Sequence, residues 1–270
     1  MIDSIEGWMA ALEARQLADL TFQEVSRSLR ALSSTYVERR GKLKEGAALD
    51  GAGKRAAFAL FFGPLHFMLV RHIVATLGKP FTTIGTLVDL GCGTGASGAG
   101  WSAACERAPR MVGVDRHPWA IEEARRTFAD LGLHATLRVD DLTRVALDGQ
   151  RAAAGRIGAA EDRGGRSRPG RQRSGVLLAF AVNEIADTGV RDALLARLLA
   201  HAAAGGHVLV IEPLAGFVAP WWTSWQHRFE AAGGRADEWR IRSELPAIVA
   251  KLDRAAGLNH RELKARSLAV

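Results

Sequence analysis

Thr86-Leu-Val-Asp-Leu-Gly-Cys-Gly-Thr-Gly95 decides how the rest of the 270 residues is read. A short apolar run ends in three glycines at alternate positions, and Ala96 to Arg107 then has helical composition. Lacking a Cβ, glycine lets the chain turn sharply and brings its backbone close to a ligand. The helix behind such a loop offers free N–H groups to that ligand's polar atoms. The next apolar run, Arg110-Met-Val-Gly-Val-Asp115, closes on an acid about twenty residues past Gly95, the interval at which a carboxylate accepts from ribose hydroxyls. Strand, glycine loop, helix, strand and acid together form a nucleotide-type binding unit.

Working outward, the alternation continues. His117 to Leu131 reads as a helix with Pro118 in its first turn, where a missing N–H costs nothing. Ala135 to Val139 is a third strand, and Val176 to Val182 a fourth, continuously apolar as a strand covered on both faces should be. Val190 to Ala203 is amphipathic, and His207 to Ile211 is the fifth strand. This order predicts an α/β, Rossmann-like, doubly wound and mostly parallel sheet with helices on both faces. Residues 1–84 instead predict an N-terminal helical segment, a lid or accessory to a domain spanning 85–270. Thr21-Phe-Gln-Glu24 has the form of a capping box. A charged, glycine-rich loop at 42–54 separates that helix from a second one running from about Ala56 to Leu77, which Gly78 and Pro80 close.

Composition narrows the function classes. The chain is 48% hydrophobic and 24% charged, with only Cys92 and Cys105 as cysteines, so neither a disulfide framework nor a metal site is expected. Met1 to Leu20 lacks the cationic start and apolar stretch of a secretory signal. The longest uncharged run, Ala56 to Val70, contains Gly63, Pro64 and His66 and falls short of the roughly 20 apolar residues that cross a bilayer. A cytoplasmic location without membrane contact is the expectation. The net charge of +7 is concentrated at 149–175, where seven arginines (151, 156, 163, 166, 168, 171 and 173) sit among glycines beside two acids. Such a stretch predicts a flexible basic surface loop, with RNA contact as its functional alternative.

At these residues the sequence resembles a known family. Val88-Asp-Leu-Gly-Cys-Gly-Thr-Gly95 is similar to motif I of the class I S-adenosylmethionine (SAM)-dependent methyltransferases. The resemblance continues through Gly113-Val-Asp115, Asp140-Asp-Leu142, Phe180-Ala-Val-Asn-Glu184 and Gly206 to Pro213. It implies SAM as cofactor, held by Asp89, Gly91, Cys92, Gly93 and Gly95 in the loop region. Asp115 would hold the ribose, and Asp141 with Leu142 would flank the adenine. It also implies a seven-stranded sheet whose antiparallel last strand is Leu263 to Val270. A narrower similarity links the N-terminal helices, Asn183-Glu184 and Glu212-Pro213 to the methyltransferase-like small-ribosomal-subunit assembly proteins. No cysteine follows Cys105 to supply the cysteine cluster of that branch.

The methyl acceptor is not legible. Asn183 and Glu184, at the end of the fourth strand, are the candidate catalytic residues, with Glu184 as base or acceptor-orienting group; capping the following turn is their structural alternative. Asn183-Glu-Ile-Ala186 lacks the Pro-Pro-aromatic continuation common in enzymes that methylate exocyclic base nitrogens. Trp221, Trp222 and Trp225 with Phe217 and Phe229 read first as core and second as an acceptor wall. Arg71 and His72 are candidates to reach the cofactor carboxylate. Two rival functions stand beside an active methyltransferase. One is an RNA- or ribosome-binding assembly factor with little or no catalysis. The other is a nicotinamide-dependent oxidoreductase, resting on Gly93-Thr-Gly-Ala-Ser-Gly98.

Overall fold

A computed structural model describes residues 2–38, 49–148, 173–214 and 219–270. Seven strands form one sheet: β1 (Thr86–Leu90), β2 (Arg110–Asp115), β3 (Ala135–Val139), β4 (Ser174–Ala179), β5 (His207–Glu212), β6 (Arg235–Arg242) and β7 (Glu262–Ala269). Their order is β3-β2-β1-β4-β5-β7-β6, with β7 antiparallel to both of its neighbours. The remaining pairings are parallel. Leu263 to Val270 is therefore the antiparallel strand the sequence led one to expect. The dinucleotide-binding order 3-2-1-4-5-6 has no such inserted strand.

The sheet sorts its residues with period two. Leu87, Met111, Leu177 and Leu209 enter one core, while Val88, Val112, Val176 and Val208 enter the other. The described helices are α1 (Ile2–Gln16), α2 (Phe22–Glu38), α3 (Ala52–Leu77), α4 (Lys79–Thr82), α5 (Ala96–Ala104), α6 (Pro118–Asp130), α7 (Thr188–Ala203), α8 (Trp222–Ala231) and α9 (Ala247–Ala255). The N-terminal helices share the first core with α5, α6 and α9, whereas α7 and α8 cover the opposite face. The capping box forms as expected: Thr21 N and Oγ1 donate to Glu24 Oε2 at 2.8 and 2.7 Å, and Glu24 N donates to Thr21 Oγ1 at 3.3 Å. The predicted loop at 42–54 is partly replaced by helix from Ala52, and residues 39–48 lie outside the described set.

Helix α3 corrects one expectation. It is continuous over 26 residues, long and apolar enough to cross a membrane by length and composition, but most of its apolar window is buried inside the protein. Leu60, Phe61, Val70 and Ile73 are fully enclosed. Gly100 of α5 lies so close that a Cβ there would stand 2.4 Å from the carbonyl oxygen of Phe67. Proline explains the irregularity in α3. Pro64 has no N–H and its ring crowds the carbonyl of Leu60, so the preceding turn opens into a π-turn over Phe58–Phe62, closed by Gly63 N–H donating to Phe58 O.

Two further differences have local causes. The fourth strand begins at Ser174 and stops at Ala179, because Phe180 takes a positive φ of 61° and turns the chain out of the sheet. Strand β6 and helix α9 were not expected. β6 is an edge strand carrying Arg235, Asp237, Glu238, Arg240 and Arg242, charges that guard an open edge and mask the apolar alternation.

Candidate functional site

The order of strands reverses between β1 and β4, and ligands of open α/β sheets bind outside the carboxyl ends at such a point. The glycine loop leaves β1 there. Gly91, Gly93 and Gly95 have φ of 74°, 52° and 77°, a region glycine occupies without a Cβ penalty. The loop is pinned below by Gly91 N and Cys92 N, both donating to Val114 O at 2.8 and 2.9 Å. Gly91 sits tightly on the β4 exit, where a Cβ would come within 2.7 Å of Ala181 Cβ and 3.4 Å of Leu142 Cδ2. Leu142 thus lies beneath the loop as part of the core. Cys92 is buried above Gly113, and burial pushes its thiol pKa well up, which makes it a packing residue.

Acids line the same edge. Asp115 closes β2 and accepts from Gly93 N at 2.9 Å through Oδ2 and from His117 N at 2.8 Å through Oδ1. The end of β3 is tied to it by Asp140 N donating to Asp115 O. Asp141 accepts from both Thr143 N and Thr143 Oγ1 on a single oxygen, Oδ1. Burial alone would raise its pKa, but those two bonds, with Arg116 and Arg144 nearby, bring it below the ordinary range. Asp89 points the other way, under the loop. It is buried against Gly98, whose missing Cβ makes room for it, and neither carboxylate oxygen has a well-formed hydrogen bond. Burial, reinforced by Asp115, raises its pKa to about 7 against the effect of the Gly98 backbone N–H.

The β4 exit carries Asn183 and Glu184 in the 3-10 turn Val182–Glu184. Their roles in the fold differ. Asn183 is bound up in a bridge: its Nδ2 donates to Glu212 Oε2 at 2.6 Å and its Oδ1 accepts from Trp221 Nε1 at 2.9 Å. Glu212, fully buried at the end of β5, also accepts from Val182 N at 3.1 Å. Its burial raises its pKa to about 8 despite those donors and nearby Arg266, with Glu184 reinforcing the rise. Glu184 stands half exposed, 3.8 Å from Arg116. The surrounding protein, then Asp115, raises its pKa to about 7, and Arg116 opposes them.

Trp221, Trp222, Trp225 and Phe229 are core residues, with Arg266 stacked 4.1 Å over Trp222. Phe217 lies outside the described residues, as does 149–172, the greater part of the basic stretch on which RNA contact was expected. Arg71 and His72 are not brought to the loop. Both are exposed, Arg71 is about 12 Å along α3 from the loop-facing Gly63, and His72 packs edge-on against Trp239 of β6.

What faces the loop from α3 is a set of rings. A Cβ on Gly93 would lie 3.7 Å from Phe58, and one on Gly63 would lie 3.5 Å from Thr94 Oγ1. Phe58, Phe62 and His66 gather on one side of α3, and His66 stacks on Phe180 with centroids 4.1 Å apart. The sequence did carry a signal for the first three, their i, i+4, i+8 spacing, but nothing tied it to Phe180.

Residues 87–155 match a family model described as "Methyltransferase domain". The matched stretch holds the glycine loop, β2 and β3. The sheet has β7 inserted antiparallel between β5 and β6, as the sequence resemblance implies. The chain is 34% identical over 70 residues to ribosomal RNA small subunit methyltransferase C of Actinobacillus pleuropneumoniae serotype 5b (strain L20), covering 26% of this chain and 21% of that protein. The match thus spans about a fifth of that relative's length. Among solved structures, the mitomycin 7-O-methyltransferase MmcR superposes with a TM-score of 0.49 at 15% identity, over 97% of this chain and 71% of that one. A SAM-dependent methyltransferase from Leishmania major gives 0.48 at 11% identity, over 85% and 82%.

The residues present fit SAM, the cofactor the sequence resemblance implies. Three positive-φ glycines carry the loop at the switch point, and a carboxylate closes each of β2 and β3 at the rim.

Proposed function

We propose that this protein is a SAM-dependent methyltransferase, EC 2.1.1.-, acting in the cytoplasm on an acceptor that enters between α3 and the β4 exit. The observation that carries this reading is the loop of three left-handed glycines hydrogen-bonded through Gly93 N–H to Asp115 at the switch point of the sheet. Gly91, Gly93 and Gly95 would admit the methionine moiety and Asp115 would accept from the ribose hydroxyls. Asp141 and Leu142 would border the adenine, and Asp89 and Cys92 would shape the loop from beneath. When bound, SAM supplies an electrophilic methyl group on a sulfonium. Bound there, it would supply that methyl to the acceptor's heteroatom and leave as its demethylated product, while a base of this chain would take the acceptor's proton.

The chain's own contribution is largely placement. Asn183 is a positioning residue, since Glu212 and Trp221 occupy its amide. Glu184 is the group able to take a proton: it stands at the cleft mouth with a pKa near neutrality, where a general base is most effective. Equilibrium dialysis with labelled SAM tests the reading. Saturable binding, displaced by S-adenosylhomocysteine but not by a nicotinamide dinucleotide and lost in Asp115→Ala, is expected. Displacement by the dinucleotide instead would move the protein to the oxidoreductases.

Ribosomal RNA as acceptor is a second reading, favoured by the match to the ribosomal RNA methyltransferase and by the arginines of 149–175. It requires RNA binding that weakens steeply with added salt. Retention that is absent, or unchanged on deleting 149–175, would sink it.

A further inference from the structure

Beyond the cofactor loop, the cleft has a lining that the motifs do not account for. Phe58, Phe62, His66 and Phe180 come from two elements far apart in sequence, and each is partly exposed. Three features indicate that the group is built to receive a ligand. The rings form one contacting cluster: Phe58 and Phe62 are tilted at 6.0 Å, His66 stands edge-on to Phe58 at 6.4 Å, and His66 lies nearly parallel on Phe180. The π-turn presents Phe58 and Phe62, and such turns recur at functional sites. Phe180, among the described residues the one non-glycine residue with positive φ, holds a bulky side chain in a strained backbone, a feature that clusters at ligand sites.

Charge then selects among ligands. Asp115, Asp140, Asp141 and Glu184 line the carboxyl edge, and the cations facing them among the described residues are Arg116 and Arg144. Among the described residues, a polyanion entering there meets more like charge than opposite. His66 is neutral at pH 7, burial having lowered its pKa to about 4, and so offers an uncharged ring. We propose that Phe58, Phe62, His66 and Phe180 form the acceptor subsite, and that the acceptor is a flat, uncharged aromatic ring system bearing the heteroatom to be methylated. This rests on the methyltransferase reading above. The acceptor would stack on the exposed outer parts of this ring cluster beside Gly93, with Glu184 at the cleft mouth.

The test titrates the full chain, with and without S-adenosylhomocysteine, with four probes: 2-naphthol, its saturated non-planar counterpart 2-decalol, 2-naphthyl phosphate, and a short adenine oligoribonucleotide. Binding of 2-naphthol at least about tenfold tighter than the other three is expected. Two variants report on the rings. Phe62→Leu keeps apolar volume but removes a π face, and Phe180→Gly keeps the kinked backbone because glycine adopts that φ freely. Each should weaken 2-naphthol about five- to tenfold, the worth of an aromatic pair, while S-adenosylhomocysteine still binds. Decalol matching naphthol, naphthol indifferent to both substitutions, or preference for the phosphate or the RNA would each overturn the subsite. Failure of S-adenosylhomocysteine to bind the unaltered protein would instead overturn the methyltransferase reading, whatever the naphthol result.

Discussion

Replacing Gly91 and Gly93 by alanine, one at a time, should separate two demands that the loop places on its glycines. Both positions have positive φ, so each alanine incurs about 1–2 kcal/mol of left-handed backbone strain. At Gly93 the new methyl meets only the rim of the Phe58 ring at 3.7 Å, an ordinary contact. At Gly91 it would stand 2.7 Å from Ala181 Cβ, a methyl fixed to the backbone of the buried β4 exit that cannot swing aside. Overlap of that kind adds about 1–3 kcal/mol. Gly93→Ala should therefore lose about 1–2 kcal/mol and Gly91→Ala about 2–5 kcal/mol, read from urea unfolding with unchanged slopes. Equal losses would refute the close seating of the loop on Ala181, and no loss at either position would refute the left-handed backbone itself.

Three other outcomes follow. Asp89→Asn should remove a pH dependence: the folded carboxyl titrates about 7 and the unfolded one about 4, so the unfolded chain binds fewer protons in that window and stability falls as pH rises through it. The variant should be flatter from pH 4 to 7 and more stable than the parent at pH 8 in denaturant titrations. Arg15→Ala should cost about 1–3 kcal/mol by leaving buried Glu123 without its 3.0 Å partner, and adding Glu123→Gln should recover most of it. Methyl transfer to an accepted substrate should rise with pH through about 7, and Glu184→Gln should both lower the rate and abolish that rise.

The most legible parts of the molecule were those governed by local rules. The glycine loop, the strand edges at Asp115 and Asp141, and the Thr21–Glu24 box each follow from a short stretch and its immediate stereochemistry. What escaped depended on distant partners or on strand position. β6 hid behind edge charges, and the β4 strand was drawn too long because nothing in its apolar run announces a left-handed Phe180. The π-turn was foreshadowed by Pro64, yet its consequence, rings aimed at the glycine loop, needs the packing of α3 on α5 across Gly100. Asn183 and Glu184 looked like a functional pair, and only the three-dimensional network separates the bound amide from the half-exposed acid.

A crystal structure of the protein grown with S-adenosylhomocysteine tests the central claim most directly. The account predicts the methionine moiety over Gly91 to Gly95, the ribose hydroxyls within hydrogen-bond distance of Asp115, and the sulfur facing Phe58 and Glu184. A ligand bound elsewhere, or one whose ribose leaves Asp115 untouched, would contradict it.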